Sequence, residues 1–140
     1  MNLRRREFCI LLRSHLVGAS LPAMAQRARP PTVALVFGGN DISELLGPDP
    51  SSPPVRAFVH EMRDLGWSEG RTIVIERRTL EGSPDRASAV LTELIAHGVD
   101  VIVLGGARWL HDAALNATRT VPIVTLFQDD PVASGLITQA

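Results

Sequence analysis

Thr32-Val33-Ala34-Leu35-Val36-Phe37, followed by Gly38-Gly39-Asn40, decides the fold of this 140-residue chain. Six apolar or β-branched residues in an unbroken run, stopped by a glycine pair, have the length and composition of a buried strand. The pattern recurs downstream. Residues 72–76 (TIVIE), 100–104 (DVIVL) and 122–127 (PIVTLF) are predicted as three further strands, the second of these again ended by a glycine pair, Gly105-Gly106. Strands that are apolar on both faces belong to a parallel sheet covered on both sides.

The intervening segments carry the helical period. Val55, Phe58, Val59, Met62 and Leu65 recur on one helical face, with Pro54 suited to the first turn and Gly66 as the stop. Residues 86–97 form a second predicted helix through Ala87, Val90, Leu91, Leu94 and Ile95, closed by Gly98. Residues 109–118 form a third. Residues 40–54, rich in Pro, Ser, Asp and Gly, read as a long loop. The alternation specifies an α/β fold with a doubly wound parallel sheet and right-handed crossovers. In such sheets ligands sit at the carboxyl ends of the strands. Those ends carry Gly38, Gly39 and Asn40, then Arg77 and Arg78, then Gly105, Gly106 and Ala107, then Asp129 and Asp130.

The first 25 residues read as a secretory signal of possible twin-arginine type. Arg4-Arg5-Arg6-Glu7-Phe8 is a cationic head, an apolar run follows to Leu21, and Ala23-Met24-Ala25 is a small-x-small cleavage site before Gln26. Residues 26–140 then form one incomplete N-terminal α/β lobe, and the expected location is the periplasm. Beyond residue 25 the chain holds ten basic and fourteen acidic residues, every basic one an arginine. That balance offers no electrostatic reason to expect nucleic acid or an anionic membrane as partner. No later segment has the length and apolarity of a membrane span, so direct insertion of the mature chain is not expected. The single cysteine, Cys9, falls in the leader, which leaves the lobe without a disulfide or thiolate chemistry.

The polar candidates each have two readings. The glycine pairs are either strand-to-helix turns or points of close backbone approach to a ligand; neither is a phosphate-binding motif. Asn40 either caps the next segment or donates its amide to a ligand. Of Arg77 and Arg78, one is expected to point to solvent and the other to hold a carboxylate through its forked donors. Asp129 and Asp130 cap the following helix or bind a ligand ammonium; a metal or catalytic role needs a third carboxylate that the chain does not clearly supply. His60, His97 and His111 are expected at surface or helix-end positions, and Trp109 in the core or lining the cleft. No cofactor motif and no catalytic set is present, so an enzyme is not expected.

Several stretches together resemble the ABC-transporter substrate-binding proteins with a type I periplasmic-binding fold. They are the Arg-Arg-x-Phe leader, the first strand running into Gly-Gly, and Met62-Arg63-Asp64-Leu65-Gly66-Trp67-Ser68-Glu69-Gly70-Arg71 leading into Ile73-Val74-Ile75-Glu76. Glu81-Gly82-Ser83-Pro84-Asp85-Arg86, Val99-Asp100-Val101-Ile102-Val103, Thr120-Val121-Pro122-Ile123-Val124 and Asp130-Pro131-Val132-Ala133-Ser134-Gly135-Leu136 complete the likeness. It covers the first of two lobes. It implies a receptor that closes on a small amino acid-like or carboxylated ligand and delivers it to a membrane permease. Carried onto this sequence, the cleft edge comprises Gly38, Gly39, Asn40, Arg78, Gly105, Gly106, Ala107, Asp129 and Asp130. Residues 76–81 (ERRTLE) lack the aromatic residues common in relatives. The alternatives are an exported α/β enzyme using Asp129 and Asp130, or the ligand-sensing input lobe of a signalling protein.

Overall fold

A computed structural model of the chain describes residues 29–126. The leader and the Asp129–Asp130 pair lie outside the described residues. Within them, β1 (Thr32–Phe37), α1 (Pro53–Asp64), β2 (Val74–Thr79), α2 (Ala87–Ala96), β3 (Val101–Gly105), α3 (Arg108–Ala117) and β4 (Ile123–Leu126) alternate along the chain. The four strands form one all-parallel sheet in the order β2-β1-β3-β4.

Side chains that alternate along each strand divide the core into two layers. Val33, Leu35 and Phe37 of β1, Ile75 of β2 and Val103 of β3 pack against Val55 and Val59 of α1. Ala34 and Val36, with Ile102 and Leu104 of β3, pack on the other face against Leu91 and Leu94 of α2 and Leu110 and Ala114 of α3. The sheet is therefore wound on both faces, as its apolar strands require.

The amino end of the sheet is tied by Asp100. Its carboxylate accepts the Thr32 N–H at 2.7 Å and an Arg29 guanidinium N–H at 3.1 Å, and its own N–H donates to the Thr32 carbonyl at 2.8 Å. Asp100→Ala keeps the backbone bond and loses the two side-chain ones. It is expected to cost about 1 kcal/mol and to lower the thermal midpoint by about 4–8 °C, read by circular dichroism.

Five expectations are corrected. The second strand starts later and runs further than residues 72–76, spanning Val74–Thr79. The Ser68 carbonyl gathers the N–H groups of Arg71, Thr72 and Ile73 into a turn, which delays the strand. Arg77 and Arg78 consequently lie inside β2 and do not close it, and neither is free in solvent. The Arg77 side chain is 6% exposed and holds Glu69 with two N–H donors. Charged side chains are tolerated here because β2 is an edge strand. Leu65, expected on the apolar face of α1, caps that helix and is 72% exposed. His111, expected at a surface or helix-end position, is buried in α3. The segment 40–54 is partly ordered by its own contacts: a 3-10 turn spans Ile42–Glu44, and Leu45, Pro50 and Ser52 are buried.

Candidate functional site

The connections from β1 and β3 leave toward opposite faces of the sheet, the first into α1 and the second into α3. Divergence of two adjacent strand ends opens a crevice between them, the usual ligand position in this architecture. Gly38, Gly39 and Asn40 come from the β1 side; Gly105, Gly106 and Ala107 come from the β3 side. The Gly38 N–H donates to the Gly105 carbonyl at 3.1 Å, which joins the two bends directly. The Gly38 carbonyl accepts from Gly82 N–H at 2.7 Å and so recruits the β2–α2 connection.

The glycines serve different needs. A Cβ on Gly105 would lie 2.6 Å from two carbons of the Phe37 ring, so the ring occupies the space a side chain would take. Gly106 has φ +102°, a backbone state that favours glycine. A Cβ on Gly38 would come within 3.3 Å of Trp109 Cζ2; the indole also packs against the core layer of α2 and α3, so Trp109 serves both core and cleft rim. Gly39 alone is unconstrained: it is exposed, and a Cβ there meets nothing within 4 Å.

Asn40 is held at both ends. Its carbonyl accepts from the Thr79 hydroxyl, and its amide donates to Glu44 at 2.8 Å. The cap of the following turn is Asp41, which accepts from the Ser43 N–H at 2.8 Å and the Ser43 hydroxyl at 2.6 Å. The Ser43 hydroxyl first, and its N–H second, hold the Asp41 carboxyl below its ordinary value. The cap is therefore fully formed above the usual aspartate range and is lost as pH falls through the lowered folded-state pKa.

A cleft of about 900 Å³ extends from this junction along α1. Phe37, Asn40, Gly105 and Gly106 form its sheet end, Leu126 its β4 side, and Pro53, Pro54, Ala57, Phe58 and Glu61 its α1 wall. Glu61 is the one charged residue among the described residues that line it. The two helix starts near it differ chemically. Pro53 and Pro54 remove two of the free N–H donors at the start of α1. α3 has no proline in its first turn; Ala107 at its N-cap makes no side-chain cap bond, and the Leu110 N–H donates to the Ala107 carbonyl at 3.1 Å.

Arg78 is not part of this assembly. Its guanidinium donates to Glu76 at 3.2 Å and to Glu93 of α2 at 3.3 Å, on the opposite face of the sheet from α1. The reading from sequence missed Phe58 and Glu61 as wall residues. Phe58 carried only the signal of an apolar helix face, and Glu61 lies three residues on at the border of that face, where a charge looks like ordinary solvent exposure.

No family model and no curated protein matches the chain. Among solved structures, a conserved domain protein from Vibrio cholerae O1 biovar eltor superposes with a TM-score of 0.61 at 24% identity, over 79% of this chain and 35% of that one. This chain thus spans about a third of the length of that protein. The likeness establishes the class, a doubly wound parallel α/β lobe, and extends to the fold alone.

Proposed function

We propose that the chain is the first lobe of an extracytoplasmic solute-binding protein that serves an ABC importer. It binds a small amino acid-like or carboxylated molecule without chemical conversion and presents it to a membrane permease. In this reading residues 1–25 direct export to the periplasm, and a second lobe closes over the cleft by hinge motion. The observation that carries the proposal is the cleft of about 900 Å³ at the divergence of β1 and β3, the position at which parallel sheets of this winding receive ligands. The start of α3, whose N-cap Ala107 brings no acidic side chain, suits a ligand carboxylate. Glu61 suits an ammonium group, and Phe37 and Phe58 suit an apolar body. Asp129 and Asp130 remain candidate contacts beyond the described residues.

Calorimetric titration of the chain with amino acids and small organic acids tests this. Binding is expected to be weak, because one lobe supplies part of the contacts. Gly39→Leu is expected to reduce affinity at least about tenfold while stability changes by no more than about 0.5 kcal/mol, since Gly39 faces open space. Absence of heat with every ligand, or unchanged affinity in Gly39→Leu, contradicts the proposal.

A further inference from the structure

Among the described residues that line the cleft, three have polar side chains: Asn40, Ser52 and Glu61. Glu44 brings the first two together. Its carbonyl accepts the Ser52 N–H at 3.0 Å, and its carboxylate accepts an Asn40 amide N–H at 2.8 Å. Both are thus fixed where α1 begins, while Glu61 lies on the last turns of that helix.

Ser52 does not do what its position suggests. It is the N-cap of α1, where a serine hydroxyl ordinarily accepts a helix N–H. Pro54 has no N–H to give, and the hydroxyl makes no capping bond to the rest of the first turn. The residue is only 4% exposed, and its hydroxyl has no hydrogen-bond partner among the described residues. A cleft-lining hydroxyl that neither caps its helix nor pairs within the fold can donate to a bound group. The second polar pole is set by the helix itself. Eight residues of rise, about 12 Å, separate Pro53 from Glu61 along α1. Helical side chains lean toward the amino end, which leaves roughly 10 Å between the Ser52 hydroxyl and the Glu61 carboxylate. Pro54, Ala57 and Phe58 form the apolar stretch between them.

We infer that the cleft selects an ω-amino carboxylate, its carboxylate on Ser52 and Asn40 and its terminal ammonium on Glu61. A charge-assisted hydrogen bond of about 2.8 Å at each end leaves roughly 5 Å for the ligand to span. In an α-amino acid the nitrogen and the carboxyl carbon are about 2.5 Å apart, too close to reach both poles. A chain of about four bonds, each advancing roughly 1.25 Å, fits. The methylenes then lie along Ala57 and Phe58, and both charges meet a partner. This inference rests on the solute-binding reading and narrows its ligand. The spacing is set by α1 and the Glu44 turn, all within the described residues.

Calorimetric titration of the full chain with 4-aminobutyrate, glycine and butyrate tests the spacing. 4-Aminobutyrate is expected to bind at least about tenfold more tightly than either control, since only it engages both poles. Glu61→Gln should erase its advantage over butyrate and leave butyrate within about twofold of its original affinity. Ser52→Ala should weaken 4-aminobutyrate and butyrate alike, by at least about fivefold, with the urea midpoint unchanged. A serine that merely capped α1 would instead lower that midpoint and leave affinity alone, and that result overturns the inference. Equal affinity for glycine and 4-aminobutyrate, or an advantage that survives Glu61→Gln, overturns it and leaves solute binding standing. Absence of heat with all three probes overturns it too; the solute-binding reading falls with it only when every other amino acid and organic acid is also silent.

Discussion

Gly105→Ala is expected to lower stability by about 2–3 kcal/mol, equivalent to a drop of about 10 °C or more in the thermal midpoint. A methyl group there would enter the Phe37 ring, and Phe37 is itself 3% exposed within the α1-side core. Either the ring leaves its rotamer or β1 and β3 separate at their carboxyl ends, where Gly38 N–H meets the Gly105 carbonyl. The coupling is measurable. In a Phe37→Leu background the alanine should cost less than half as much, because the smaller side chain can yield. Equal cost in both backgrounds would show that the clash is not with the ring. Gly39→Ala is the matched control one bend away, with no neighbour to displace.

Removing Glu69 is expected to be nearly as damaging. Its carboxylate takes two N–H groups of the buried Arg77 guanidinium, one at 2.8 Å, and Arg77 Nε has no partner among the described residues. Glu69→Ala leaves a guanidinium with a 6% exposed side chain without its counter-charge. A fully buried pair broken this way costs about 3–5 kcal/mol. Glu69 is 37% exposed, so water can replace part of what is lost and about 2–3 kcal/mol is expected. The double variant Glu69→Leu/Arg77→Met should recover at least half of that in urea denaturation, because an apolar pair carries no stranded charge. No recovery would mean that the arginine is needed for its shape and not for its pairing.

Much of the architecture was legible in the chain itself. A continuous apolar run such as Thr32–Phe37 must be buried on both faces, and the helical spacing of Val55, Phe58, Val59 and Met62 must face a sheet. The places where the chain bends, Gly38 and Gly105–Gly106, were legible as well, since glycine pairs interrupt the apolar runs there and Gly106 takes a φ of +102°. These features report local burial and local backbone freedom, which periodicity and composition encode directly.

Strand order is a different kind of quantity. That β2 lies at an edge follows from which strands pair across 40 or more residues, and no local pattern records it. Once β2 is at the edge, Glu76, Arg77 and Arg78 can occupy a strand interior, and Arg78 turns to Glu93 on α2, away from the cleft. The same holds for the Phe37 ring over Gly105, which arises only when β1 and β3 are neighbours. Sequence by itself determined the layers, the winding and the glycine bends that follow β1 and end β3. Tertiary structure alone decided which ends meet, because pairing energy is summed over contacts between segments far apart in the chain.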